Sequence, residues 1–193
     1  MKIILASSSP RRIEILSLLG LRFEIIPAKI REGKVEGKPI LTARKLAREK
    51  AIAVWKQNRN SVVIGADTLV FLGKEIIGKP RSEEEAFAIL RKLSGRWHKV
   101  VTGVAILTPF RKVVLHDVAK VKFRSLSDKE IMNYIKAREP MDKAGAYGVQ
   151  GFGATIVEKI HGNFYTVMGL PIVRVYEILK ENNLITYSVD ISF

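Results

Sequence analysis

The sequence predicts an α/β fold with a mixed β-sheet flanked by helices. Two observations carry this expectation. Short apolar, β-branched runs alternate with runs of helical period along the whole chain. Two long strand-like stretches, residues 99–107 and 113–123, are joined only by Thr108-Pro109-Phe110-Arg111, which makes an antiparallel hairpin and argues against a purely parallel doubly wound sheet.

The elements follow in order. Residues 2–6 read as a strand, 10–19 as a helix ending at Gly20, and 22–26 as a second strand. Proline favours the first helical turn and serine precedes it as N-cap, so the first helix is expected to start at Pro10. Residues 42–57 are helical, and 61–66 form a buried strand. Residues 69–72 and 75–77 flank Gly73-Lys74, a two-residue hairpin turn. Ser82 with Glu85 reads as a capping box for a helix to Ser94, and Ser127 with Glu130 caps another to Lys136. A glycine-rich loop covers 140–153, a strand follows over 155–160, and Pro171 opens a last helix ending near Asn182.

Composition narrows the classes. The 193 residues fit one domain, or two small lobes sharing one sheet, and 47% hydrophobic with 27% charged residues are globular values. No run approaches a membrane span, and the N-terminus lacks the pattern of a signal peptide. Cysteine is absent, which excludes disulfides and thiolate metal sites and fits the cytoplasm. A net charge of +14, from 33 Lys and Arg against 19 Asp and Glu, attracts anions but is dispersed along the chain.

Chemistry concentrates at a few points. In Ser7-Ser8-Ser9-Pro10-Arg11-Arg12 a strand tip, hydroxyls, the loose amides of a helix start and two guanidinium groups converge. That is an anion receptor suited to phosphate; the alternative is an ordinary turn with surface arginines. Asp67 and Thr68 interrupt the apolar run of a strand at its C-terminal end, where α/β sheets bind ligands, so Asp67 is a candidate general base or metal ligand, or else a loop cap. Lys50 shares the apolar stripe of its helix with Ala43, Leu46, Ala47 and Val54, and either snorkels or points into a polar cleft. Lys79 stands in the rigid turn Gly78-Lys79-Pro80. The loop from Asp142 to Gly151 has neither Walker nor Rossmann glycine spacing. Three histidines scattered at 98, 116 and 161 make no metal site, so any metal would be a hard divalent ion held by carboxylates and phosphates.

Taken in order, these motifs resemble the Maf family, nucleoside triphosphate pyrophosphatases once described as septum-formation inhibitors. The resemblance runs from Ala6-Ser7-Ser8-Ser9-Pro10-Arg11-Arg12 through Leu46-Ala47-Arg48-Glu49-Lys50-Ala51, Gly65-Ala66-Asp67-Thr68, Gly78-Lys79-Pro80, Leu93-Ser94-Gly95-Arg96-Trp97-His98 and the 142–151 loop to Gly169-Leu170-Pro171. It implies one domain over residues 1–193, with an elongated twisted sheet and two lobes around a central cleft, as in inosine triphosphate pyrophosphatases. It implies hydrolysis between the α and β phosphates, with Asp67 as proton acceptor and Ser7, Arg11, Arg12, Lys50 and Lys79 on the phosphate side. Arg12, Thr68 and Gln150 match the branch acting on dTTP and UTP, with CTP and modified pyrimidine nucleotides as further candidates. A divalent cation, Mg2+ or Mn2+, would be held by Asp67 and by Glu32, the one acidic residue left where the family often has an acidic cluster. The expected partner is the nucleotide; neither a membrane nor a specific nucleic acid is expected, and homodimers are common in the family. The rival class is a non-catalytic nucleotide- or nucleic-acid-binding regulator of cell division. It is opposed by the absence of a helix-turn-helix, zinc spacing or an aromatic stacking platform.

Overall fold

The computed structural model describes residues 1–30 and 37–185. The chain begins with β1 (Ile3–Leu5), α1 (Pro10–Ser17), β2 (Glu24–Ile25) and α2 (Pro39–Trp55). It continues through β3 (Val62–Leu72), β4 (Glu75–Ile77), α3 (Glu83–Leu93), β5 (Trp97–Leu107), β6 (Lys112–Phe123) and α4 (Asp128–Lys136). Two short 3-10 segments, Ala144–Ala146 and Gly151–Thr155, lie within the glycine-rich loop and across its end, before β7 (Val157–His161), α5 (Phe164–Met168) and α6 (Ile172–Glu181).

The sheet is mixed, in the order β2-β1-β3-β5-β6-β7, with β4 added to β3. β1 pairs in parallel with β2 and β3, and every other pairing is antiparallel. The long β5–β6 hairpin stands as expected, its connection closed by the Thr108 hydroxyl, which accepts from the amides of Phe110 (3.2 Å) and Arg111 (2.8 Å).

Three details depart from the sequence reading. The stretches 61–66 and 69–72 belong to one strand, β3, so Asp67 lies in mid-strand and not at a strand end. The apolar period survives the aspartate because β5 pairs with β3 continuously from Val63 to Phe71. Glu85 is no reciprocal cap, since its carboxylate accepts from the Arg81 amide at 2.8 Å while Ser82 accepts from Glu85 N; Ser127 and Glu130 do form the full box. The five-residue helix α5 was not anticipated; it is too short for a periodic signal.

Smaller apolar bodies lie under α2, and the two largest on this sheet flank its ends. One joins β1, β3, α1 and α6 around Leu5, Leu16, Ile64, Leu170 and Leu179. The other joins α3, α4 and the far halves of β5 and β6 around Leu90, Val121, Phe123 and Tyr134. Helix α2 covers the opposite face of β3 and β5, and two glycines set how closely. A Cβ on Gly65 would lie 2.6 Å from the Ala47 carbonyl oxygen, and one on Gly103 would strike the Ala43 carbonyl. The closeness of α2 to the sheet decides what Lys50 can reach.

In the second body His98, Phe123 and Tyr147 meet edge to face, and His98 Nε2 lies 2.7 Å from the Tyr147 hydroxyl. Burial, only partly offset by the Arg96 backbone, pushes the His98 imidazole down to about 4. The unfolded chain therefore takes up a proton below its ordinary value near 6.5 that the folded chain refuses until about pH 4. Stability contributed by this group is fully present above pH 6.5 and is lost as pH falls through that window, by up to about 3 kcal/mol. Urea unfolding midpoints between pH 7 and pH 4 should show this slope, and His98→Gln should flatten it.

Candidate active site

A cleft of about 840 Å³ opens between the two bodies. Its position follows from strand pairing. β1 pairs with β3 only as far as Ile64, and β4 takes up the same edge only from Val70. Between them the edge of β3 is uncovered, and Asp67 and Thr68 occupy that gap and line the cleft.

The turn from β1 into α1 forms one wall. Ser9 is the N-cap of α1, yet its hydroxyl makes no capping bond. Ser7 acts locally instead, its Oγ accepting from the Ser9 amide at 3.2 Å and from Arg12 Nη1 at 3.3 Å. Both contacts are accepted, which leaves the Ser7 hydroxyl hydrogen for a ligand. Pro10 has no N–H, and the Arg11 and Arg12 amides precede the first intrahelical bond, Ile13 N to Ser9 O, so the helix start meets the cleft with its positive end.

Lys50 reaches across from α2 to Asp67, with Nζ 2.6 Å from Oδ1 and side chains only 15% and 9% exposed. Its place in the apolar stripe is thus explained by an ion pair at the cleft floor and not by snorkelling to solvent. Lys79 lines the opposite wall and is exposed. Its turn is tied to the glycine loop by Gly145 N donating to Gly78 O at 3.0 Å. Arg11 and Lys143 also line the cleft, and Lys143 Nζ lies 2.6 Å from Asp142 Oδ1. Partial burial raises the Asp142 carboxyl, but the Lys143 and Arg11 charges and a hydrogen bond from Lys143 outweigh it and bring the group below its ordinary value.

Arg12 is held hard. Nε donates to the Gly169 carbonyl at 2.8 Å, Nη2 to Thr68 Oγ1 at 3.0 Å, and Nη1 to Ser7. It therefore joins α1, β3 and the C-terminus of α5. Gly169 has φ +112°, and a side chain there would fall 3.1 Å from Thr68 Oγ1.

The glycine loop is fastened from below. Glu139 accepts from the amides of Phe152 (2.9 Å) and Gly153 (3.1 Å), and the Tyr134 hydroxyl accepts from Gly148 N at 3.0 Å. Burial pushes the Tyr134 hydroxyl well above its ordinary value, so it stays protonated. Glu139 and Tyr134 were not singled out in the sequence, since no motif marks them; Lys143 lies in the 142–151 motif but was given no role.

The structure thus brings together Ser7, Arg11, Arg12, Lys50, Asp67, Thr68 and Lys79. It does not bring Gln150 into the lining: Val149 lines the cleft, while Gln150 Nε2 reaches Glu14 Oε1 on α1 at 3.5 Å. Glu32 lies outside the described residues. Among the described residues no three acidic or histidine side chains gather to hold a metal. One buried carboxylate facing a cation-lined cleft still fits a magnesium-like ion, which is usually held by one or two carboxylates together with substrate phosphates. No helix among the described residues is long and apolar enough to cross a membrane.

Comparison with known proteins gives this geometry a context. The chain is 68% identical over 185 residues to a dTTP/UTP pyrophosphatase of Aquifex aeolicus, covering 96% of this chain and 97% of that protein. It is 48% identical over 188 residues to a dTTP/UTP pyrophosphatase of Thermosipho africanus, covering 97% of each. A structure of the Staphylococcus aureus Ham1 protein shares the fold, with a TM-score of 0.55 and 16% identity over 95% of this chain and all of that one. The sequence signature of the Maf-like proteins matches residues 2–182, so this chain belongs to the Maf family.

Proposed function

We propose that this protein hydrolyses nucleoside triphosphates, dTTP and UTP foremost, to the monophosphate and pyrophosphate. The observation that carries this reading is the Lys50–Asp67 pair on the floor of a cleft whose walls are cationic. One buried carboxylate, Asp67, among several lysines and arginines suits a polyanionic substrate and a proton acceptor at the floor, while the second lining carboxylate, Asp142, is exposed and paired with Lys143. The high identity to two proteins named dTTP/UTP pyrophosphatase supports the same activity and the same bases.

The triphosphate is taken up by Ser7, the amides at the start of α1, Arg11 and Lys79. Lys50 orients the Asp67 carboxylate through its 2.6 Å contact. Asp67 accepts a proton from the water that attacks the α-phosphorus in line. Arg11 and Lys79 stabilise charge growing on the departing pyrophosphate, so positioning and electrostatics supply most of the rate. A divalent cation at Asp67, with Glu32 as a second contact, would supply further neutralisation of phosphate charge.

The test is a panel of ribo- and deoxyribonucleoside triphosphates with Mg2+ or Mn2+, scored for pyrophosphate and the matching monophosphate. Pyrophosphate from dTTP and UTP is expected. Release of orthophosphate alone would refute the reading. Binding without turnover, accompanied by salt-sensitive affinity for DNA or RNA, would favour the regulator class.

A further inference from the structure

We propose that Thr102, a residue outside the cleft, fixes the Thr68 hydroxyl as a hydrogen-bond acceptor toward the cleft, and that this selects bases presenting an imide N–H, uracil and thymine, over cytosine. The proposal rests on the pyrimidine triphosphate reading above and goes further, to the origin of base choice.

Thr68, Thr102 and Asp117 face one another in a straight row across β3, β5 and β6. Residues directly opposite on neighbouring strands share one face of the sheet. Helix α5 crosses that face at this row, and Thr166 touches two of its members. The Thr102 hydroxyl lies 2.7 Å from the Thr166 carbonyl oxygen, and the Thr166 hydroxyl donates to Asp117 Oδ2. Just past the end of α5 the amides of Gly169 and Leu170 both turn to the Tyr165 carbonyl, so the side chain of Thr102 satisfies a carbonyl that the helix end leaves over.

The direction of the chain follows from counting hydrogens. A carbonyl oxygen only accepts, so the single hydrogen of Thr102 is directed to Thr166. Thr102 then has only lone pairs for Thr68, 3.0 Å away, and in that contact Thr68 is the donor. Thr68 also accepts from Arg12 Nη2 at 3.0 Å, and a guanidinium never accepts. With its hydrogen committed and one lone pair used, the hydroxyl offers the cleft a lone pair and no hydrogen. Gly169 keeps this oxygen uncovered, since a Cβ there would lie 3.1 Å from it.

Uracil and thymine carry a hydrogen on ring nitrogen N3, whereas neutral cytosine carries a lone pair there. Facing Thr68, the first two form a hydrogen bond and the third sets lone pair against lone pair. The ring size is the same, so shape does not separate them. Thr102 is completely buried and does not line the cleft, which makes it a positioning residue.

The test compares kcat/KM for UTP, CTP and N3-methyl-UTP in the wild type, Thr102→Val and Thr102→Ser. The wild type should prefer UTP over CTP, and over N3-methyl-UTP, by about tenfold or more. In Thr102→Val the Thr68 hydrogen is released to turn toward the base, and the UTP:CTP ratio should fall by about fivefold or more. Thr102→Ser keeps the hydroxyl and should keep the ratio, a rescue that a purely structural role for Thr102 does not predict. The nucleotide arm needs no variant and stands even if Thr102→Val fails to fold. Equal use of UTP and CTP by the wild type would overturn the proposal alone, as would an unchanged ratio in a folded Thr102→Val. Pyrophosphate from none of the nucleotides would overturn the pyrophosphatase reading beneath it.

Discussion

Asp67→Asn is expected to lower kcat by about 10³-fold or more, in the range that removal of a positioned general base produces. The amide keeps the shape of the carboxylate, and its oxygen still accepts from Lys50 Nζ, so the 2.6 Å contact at the cleft floor has a neutral substitute. What is lost is the proton acceptor and the negative charge. Nucleotide binding, carried by Ser7, Arg11, Lys79 and the start of α1, should persist and be measurable by calorimetry with UTP. The charge of Asp67 beside Lys50 is lost where both side chains are mostly buried, so the variant should also melt somewhat earlier. Near-normal turnover in this variant would remove Asp67 from the mechanism.

Gly103→Ala should be the most destabilising small change on the sheet. The added methyl would meet the Ala43 carbonyl and come within 2.7 Å of the Arg44 amide, and neither is the end of a flexible side chain. Helix α2 must lift from β5, which overpacks one side and opens space on the other. A loss of about 3 kcal/mol is expected, or a fall of about 10 °C in Tm for a chain of this size. Because α2 carries Lys50, a folded Gly103→Ala protein should be impaired in kcat even under conditions where it is fully native. Thermal unfolding and activity of the same preparation measure both effects.

Much of the site was legible because its parts are short and local. The serines, Pro10 and two arginines sit within one strand-to-helix turn, and propensity alone places a helix start there. Lys50 announced itself as a charge in an apolar stripe, and Asp67 as a charge in a buried strand; the ion pair between them needed the fold. What local pattern could not reveal is set by distance along the chain. Arg12 is held by the carbonyl of Gly169, 157 residues away. Asp117 and Thr166 look like ordinary residues until strand register and α5 bring them together with Thr102. Asp67 was placed at a strand end because β3 seemed to break there. The strand in fact continues, and the opening comes from its neighbours, with β1 ending before that point and β4 beginning beyond it. Gln150 illustrates the converse, a residue matched by motif whose side chain turns to Glu14 and not to the cleft.

Attack of water on the α-phosphorus, with pyrophosphate as the leaving group, is read out by hydrolysis of dTTP in 18O-labelled water. Mass spectrometry of the products should find the label in the monophosphate and none in the pyrophosphate. Label in pyrophosphate would place the attack on the β-phosphorus, and orthophosphate as the primary product would contradict pyrophosphate as the leaving group altogether.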